Sequence, residues 1–186
     1  MKLLVLDIDE TLLFGTERPL ASDPDYVSAP YFFYKRPGVD EFIVRMSTIF
    51  ELGIWTASTP SYAEVVIPFL FPQNIQPSFV WARDRCTLRY NADYGSHEWV
   101  KNLDKLKKRG YPLESIIMVD DTPEKLSKHY GNLVRVHPFE GDSSDRELWQ
   151  LGNYLEHLSQ VPNVRQIEKR GWRSNSSVQT SIPPPP

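Results

Sequence analysis

Four short runs of almost unbroken apolar residues constrain the fold most: Leu3 to Ile8, Leu52 to Thr56, Ser115 to Val119 and Leu133 to Val136. A strand wetted on one face alternates apolar and polar residues. A run apolar throughout is covered on both faces, as in a parallel sheet. Segments with helical spacing lie between the runs. Val39 to Ser47 places Phe42, Ile43 and Met46 on one face. Tyr62 to Leu70 follows Ser61 and Glu64, spaced as a capping box. Glu98 to Arg109 carries Val100, Leu103 and Leu106 at helical intervals. Thr122-Pro123 reads as an N-cap with proline at the first helical position, and Ser144 with Glu147 opens a last helix to about His157. This alternation predicts an α/β protein with a Rossmann-like parallel sheet and helices on both faces. Two stretches interrupt it. Phe14 to Tyr34 holds Pro19, Pro24 and Pro30 and ends in Tyr31-Phe32-Phe33-Tyr34, and Phe79 to Tyr90 reads as a hairpin. Both are small inserts, not domains.

The chain has 186 residues, 40% of them hydrophobic and 12% aromatic, enough to build the core of one domain. Lys and Arg number 21 against 24 Asp and Glu, a net charge of −3. Without a basic surplus, nucleic acid is not an expected partner. The single cysteine, Cys86, excludes an intrachain disulfide and reads as a packed thiol. The histidines lack zinc-ligand spacing. No apolar run is long enough to span a membrane: Val65 to Phe71 is short and contains Pro68. The apolar start, Leu3 to Leu6, is too short for a signal-peptide core. The reading is a soluble intracellular protein, cytoplasmic or nuclear. From Gly171 the chain is polar, nearly uncharged and ends in four prolines. The expected organisation is therefore a domain over residues 1–160, an end segment of uncertain assignment over 161–170, and a disordered Ser/Pro-rich tail over 171–186.

In open α/β sheets, ligands bind beyond the carboxyl ends of the strands. The first run is followed by Asp7, Asp9, Glu10 and Thr11, the second by Thr56, Ala57 and Ser58, and the third by Asp120, Asp121 and Thr122. Lys101 falls near the start of the helix after the hairpin. Carboxylates about 4 Å apart repel by about 4 kcal/mol at an effective dielectric of about 20, and a divalent cation offsets that. All-oxygen donors suit Mg²⁺ together with a substrate phosphate. Asp7 is placed to attack phosphorus. Asp9 serves as general acid and then base, with its backbone carbonyl available to the metal. Thr56 donates to a phosphoryl oxygen, Lys101 neutralises charge, and Asp120 and Asp121 hold the metal directly or through water. Ser58 and Thr59 read as turn or capping residues, Arg36 as structural ahead of a Pro-Gly turn, and Glu10 as negative potential beside the metal.

Asp7-Ile8-Asp9-Glu10-Thr11-Leu12 resembles the first motif of the haloacid dehalogenase superfamily. With Lys35-Arg36-Pro37-Gly38-Val39-Asp40-Glu41-Phe42, it is similar to one branch, the phosphatases of the RNA polymerase II C-terminal domain and their small relatives. Trp55-Thr56-Ala57-Ser58, Lys101 within Trp99-Val100-Lys101-Asn102-Leu103, and Val119-Asp120-Asp121-Thr122-Pro123 resemble the second, third and fourth motifs in order. The likeness reaches about residue 160. It implies a haloacid dehalogenase-type fold, an aspartyl-phosphate intermediate and Mg²⁺. In the branch, the second residue of the fourth motif is often an asparagine that ligates the metal. Here it is Asp121, with Asp120 implied to be salt-bridged to Lys101, and which of the two touches the metal stays open. Ala57 and Arg83 are the substrate-binding candidates. Arg83 aligns with an arginine that contacts substrate phosphate in small members. The insert between the first two motifs is too short for a large cap, so the crevice is expected to be open and to suit a phosphorylated protein or peptide. Phosphoserine or phosphothreonine is the first expectation. An aryl-phosphate, phosphotyrosine or small-molecule phosphatase, and a non-catalytic phosphoprotein-binding receptor, are the alternatives.

Overall fold

The computed structural model describes residues 1–91 and 95–174. In chain order the elements are β1 (Lys2–Leu6), β2 (Leu13–Thr16), β3 (Tyr26–Ser28), β4 (Tyr31–Lys35), α1 (Val39–Ser47), β5 (Phe50–Trp55), α2 (Pro60–Leu70) and β6 (Val80–Trp81). They continue with β7 (Thr87–Asn91), β8 (Ser96–Val100), α3 (Asp104–Lys107), β9 (Ile116–Asp120), β10 (Leu133–Arg135) and α4 (Glu147–Gln160). The central sheet has the order β10-β9-β1-β5-β6, with every pairing parallel. The α/β class, parallel sheet and small inserts are as the sequence implies.

The unbroken apolar runs are explained by two cores. Leu4 and Leu6 of β1, Leu52 and Ile54 of β5, and Ile117 and Val119 of β9 face one core with α1, α2 and α4. Leu3, Val5, Trp55, Ile116 and Met118 face the other, with Leu103, Leu106, Phe79 and Trp81. Alternate residues thus enter opposite cores, so the middle strands are apolar except at Lys2, Glu51 and Asp120.

The first insert forms an antiparallel sheet, β2-β4-β3. Phe33 is buried in the main core, and Tyr26 stacks on Phe69 of α2, so the insert lies along the domain. The second insert differs from expectation. The hairpin is β7–β8, pairing Thr87 with Val100, so residues 98–100 are strand and the helix after them is only Asp104–Lys107. Val100, Leu103 and Leu106 mimic a helical face. Cross-strand pairing takes the first of them, and burial in the second core fixes the other two. Two caps also move. Helix α2 is capped by Thr59, whose Oγ1 accepts from the Tyr62 backbone N–H, ahead of Pro60. At α4, Asp145 Oδ1 accepts from the Glu147 N–H, while the Ser144 hydroxyl donates to Asp142. Thr122-Pro123 opens a short 3-10 turn, Pro123–Leu126, without a side-chain cap.

The ordered fold passes the expected tail boundary. Trp172 is buried, stacks on Tyr154 and donates its indole N–H to the Arg135 carbonyl at 2.8 Å. That contact holds residues 171–174 on the domain. Residues 175–186 of the expected tail lie outside the described residues. No helix among the described residues is long and apolar enough to cross a membrane.

Arg36 fixes the first insert beneath the site. It is fully buried, donates to both oxygens of Asp145 at 3.0 and 2.8 Å, and donates to the Thr11 carbonyl at 3.1 Å. Arg36→Ala leaves that carbonyl without its donor and a mostly buried Asp145 without its ion-pair partner, with only the Glu147 N–H still bonded to it. We expect a loss of about 2–4 kcal/mol in urea unfolding. A loss below about 1 kcal/mol would count against this structural role.

Candidate active site

Asp7 follows β1, Thr56 follows β5 and Asp120 ends β9, so the parallel register delivers all three to one end of the sheet. Backbone bonds fix them there: Asp7 N–H donates to the Val119 carbonyl at 3.0 Å and Thr56 N–H to that of Trp81 at 2.9 Å. The chain turns back sharply after Asp9. Glu10 adopts a left-handed conformation with φ 60°, and its carbonyl accepts from the Phe139 N–H.

Two lysines meet the carboxylates. Lys101 is fully buried, 2.8 Å from Asp7 Oδ1 and donating to Asp120 Oδ2 at 2.6 Å. Lys125, in the turn after Pro123, donates to Asp7 Oδ2 at 3.0 Å and lies 3.5 Å from Asp120 Oδ1 and 3.7 Å from Asp121 Oδ1. The Lys101 N–H donates to the Lys125 carbonyl at 2.7 Å, coupling the two segments. Burial pushes the Asp7 pKa up, but the two ammonium groups outweigh it and hold it below the ordinary carboxylate range. Asp120 is pushed up to about 7 by burial and then by the charge of Asp7. For Lys125, burial works to lower the pKa, but the three aspartates outweigh it and raise it.

Asp7, Asp120 and Asp121 each offer an oxygen within 4.8 Å of the others, and all three are buried. Their hydrogen bonding distinguishes the last two. Asp120 uses both oxygens, accepting from the Thr122 N–H and from Lys101. Asp121 Oδ2 accepts from the Thr122 hydroxyl, whereas Oδ1 is buried without a hydrogen-bond donor. A buried carboxylate oxygen left without a donor fits a cation ligand. The hard oxygen set fits a divalent ion such as Mg²⁺.

Asp9 turns away from this cluster. Its Oδ2 accepts from Ser58 Oγ at 2.7 Å and from Thr56 Oγ1 at 3.4 Å, and its Oδ1 accepts from the Tyr62 hydroxyl. Burial raises the Asp9 pKa and the charge of Asp7 adds to this, against the Tyr62 and Ser58 hydrogen bonds. Tyr62 fits because Gly15 lies beneath it: a Cβ there would stand 2.7 Å from the tyrosine hydroxyl.

The structure therefore brings Asp7, Asp9, Thr56, Lys101, Asp120 and Asp121 together. The carboxylate of Asp9 stands outside the possible cation cluster. Arg83 is exposed, and its Nε donates to the Ala57 carbonyl at 2.7 Å, tying those two positions to each other at the rim. Cys86 is buried behind Thr56, its thiol 3.7 Å from the Thr56 carbonyl and its pKa raised by burial. Lys101 lies between the hairpin and α3, directly after β8, and the helix itself starts at Asp104. Sequence reasoning missed Lys125 and Tyr62 and took Ser58 for a turn residue, although its hydroxyl reaches Asp9. The signal available for Ser58 and Tyr62 was their position in and just after the second motif.

A five-stranded parallel sheet with acids after two central strands and a lysine between them defines a haloacid dehalogenase-type α/β protein. The chain belongs to the family of NLI interacting factor-like phosphatases, which it matches over residues 2–165. It is 31% identical over 172 residues to the human carboxy-terminal domain RNA polymerase II polypeptide A small phosphatase 1, covering 88% of this chain and 62% of that protein. It is 31% identical over 175 residues to a probable C-terminal domain small phosphatase of Dictyostelium discoideum, covering 90% of this chain and 54% of the relative. Another relative in that organism, CTD small phosphatase-like protein 2, is 32% identical, with 87% of this chain and 28% of the relative covered. The chain thus spans less than two thirds of these relatives. The solved structure of Fcp1, an RNA polymerase II CTD phosphatase, superposes with a TM-score of 0.57 at 17% identity over 90% of this chain and 58% of that one. Fission yeast Fcp1 bound to beryllium fluoride gives 0.52 at 19% identity, over 92% of this chain and 60% of that one. At these identities the likeness concerns the fold.

Proposed function

We propose that the chain is a Mg²⁺-dependent intracellular phosphomonoester hydrolase that forms an aspartyl-phosphate on Asp7 and acts on phosphoserine or phosphothreonine in proteins. The observation that carries this reading is the pair at the end of β1. Asp7 is held between two ammonium groups, while Asp9, two residues on, is held apart from them by hydroxyl groups. Two carboxyls with opposed environments suit two roles. Asp7, kept ionised, is the nucleophile. Asp9, with its raised pKa, gives a proton to the departing serine oxygen and then takes one from the attacking water. Lys101 balances charge on Asp7 as the phosphoryl group arrives. Thr56 and the backbone around Ala57 receive phosphoryl oxygens, with Arg83 at the rim for the substrate. Asp7, Asp121 and the Asp9 carbonyl would hold the metal, with Asp120 orienting Lys101. A bound Mg²⁺ supplies charge neutralisation at the phosphoryl oxygens. Substrates of the phosphoprotein class are supported by the names of the relatives and by the first insert, which among the described residues is only the small sheet β2-β4-β3.

The test is hydrolysis of p-nitrophenyl phosphate and of a panel of phosphoserine, phosphothreonine, phosphotyrosine and sugar phosphates, in Mg²⁺ and in EDTA. We expect turnover to fall by about 100-fold or more in EDTA and to return with Mg²⁺. Phosphoserine or phosphothreonine peptides should be preferred. Preference for phosphotyrosine or sugar phosphates would favour the aryl or small-molecule reading. A folded protein that turns over nothing yet retains a phosphoprotein would favour a receptor.

A further inference from the structure

The sequence motifs account for one lysine at this site, and the structure holds two. We propose that Lys125 is an internal counter-cation occupying the space among Asp7, Asp120 and Asp121, and that its side chain must withdraw for a divalent metal to bind there. The proposal rests on the metal reading above and adds the step that sets the metal concentration at which the site fills.

Three observations carry it. First, the Lys125 ammonium faces all three carboxylates of the possible cation cluster, at 3.0, 3.5 and 3.7 Å. Mg²⁺ binds carboxylate oxygens at about 2.0–2.1 Å, so a metal shared by Asp7 and Asp121 crowds an ammonium group lying between the same two carboxylates. Second, the lysines differ in freedom. The Lys101 side chain is fully buried between Asp7 and Asp120, whereas that of Lys125 is 21% exposed and has a path to solvent. Its contacts to Asp120 and Asp121 are longer than usual or beyond hydrogen-bond reach, so one hydrogen bond, to Asp7, holds it in the cluster. Glu10, at the rim, interacts electrostatically with Lys125 and gives the displaced ammonium an anionic neighbour. Third, charge balance favours the exchange. With all three carboxylates ionised, they and the two ammonium groups carry one net negative charge. A dication added beside both lysines makes the cluster positive, while a dication that replaces Lys125 makes it neutral.

Metal binding can be read without turnover. Free Mn²⁺ is followed by electron paramagnetic resonance during titration with wild type, Lys125→Met and, as a control for location, Asp121→Asn. We expect Lys125→Met to bind Mn²⁺ about tenfold tighter or more, and Asp121→Asn to bind it more weakly than wild type. A second measurement needs no variant. Acetic anhydride labels lysines of the wild type, and mass spectrometry reads Lys125 in EDTA and in Mg²⁺. Labelling of Lys125 should rise several-fold with Mg²⁺, while that of Lys107 and Lys108 stays constant. Equal or weaker Mn²⁺ binding by folded Lys125→Met overturns the proposal and leaves the metal reading standing. If Lys125→Met does not fold, labelling decides: unchanged Lys125 reactivity overturns the proposal. Absence of Mn²⁺ binding in wild type and Lys125→Met alike removes the metal reading and the proposal with it.

Discussion

Asp7→Asn is expected to slow p-nitrophenyl phosphate hydrolysis by roughly 10⁴-fold or more while the protein stays folded. The amide keeps the shape of the carboxylate and loses the charged oxygen that attacks phosphorus. Stability should change little for a reason specific to this cluster. Asp7 lies beside Asp120, whose pKa its charge helps to raise, so removing that charge relieves a buried like-charge contact. The cost falls on the lysines. Lys101 retains Asp120 at 2.6 Å, and Lys125 retains Asp120 and Asp121 at 3.5 and 3.7 Å. No ammonium group is left buried without a carboxylate, so the full penalty for breaking a buried ion pair does not arise. We expect a loss of no more than about 2 kcal/mol in urea unfolding. Beryllium fluoride, a phosphoryl mimic, should inhibit the wild type and leave a distinct ¹⁹F resonance that Asp7→Asn lacks. Activity within tenfold of wild type in a folded Asp7→Asn protein would remove Asp7 as the nucleophile.

The sheet was legible because burial on both faces leaves a plain trace. In β1, Leu3 and Val5 serve one core and Leu4 and Leu6 the other, so the run has no polar gap. Once the strands are parallel, the carboxyl-end rule places Asp7, Thr56 and Asp120 together without further information. A hairpin was legible, but placed at Phe79 to Tyr90; its second strand was hidden because Val100, Leu103 and Leu106 satisfy a helical period, whereas Thr87 pairs with Val100. Of the two expected capping boxes, Ser61 gives way at α2 to Thr59, itself read as a turn or capping residue, and α4 starts from Arg146, which supplies no side-chain cap, where several hydroxyls and carboxylates compete locally. Lys125 was hidden for a different reason. It sits in a one-turn segment flanked by Glu124 and Lys128, where a lysine is ordinarily a solvated charge. Only the 3-10 turn after Pro123, anchored by the Lys101 N–H to the Lys125 carbonyl, points it inward. Lone charges in irregular turns carry no periodic signal, so their role is fixed by tertiary structure alone.

For Asp9→Asn the expected result depends on the leaving group, and that dependence separates its role from that of Asp7. A serine alkoxide needs a proton to depart and p-nitrophenolate does not. Turnover of a phosphoserine peptide should fall by about 10³-fold, within the usual range for a general acid. Phosphorylation by p-nitrophenyl phosphate should survive. The lost base then slows hydrolysis of the phosphoenzyme, so one equivalent of nitrophenolate should appear in a burst, followed by a slow steady state. The pH dependence follows from the environment of Asp9. Burial and the neighbouring charge of Asp7 raise its pKa, so the protonated acid persists to higher pH than in an ordinary aspartate. The wild-type rate on phosphoserine peptides should be greatest at acidic pH and fall as pH rises through that raised pKa, because the proton for the leaving oxygen is lost. The burst with p-nitrophenyl phosphate should lack this falling limb, since its leaving group departs unprotonated. Released phosphate for the peptide and stopped-flow absorbance for p-nitrophenyl phosphate, each followed across pH 5 to 8, read the two limbs. An equal loss on both substrates in Asp9→Asn, with no burst, would assign Asp9 to holding the loop in place of transferring a proton.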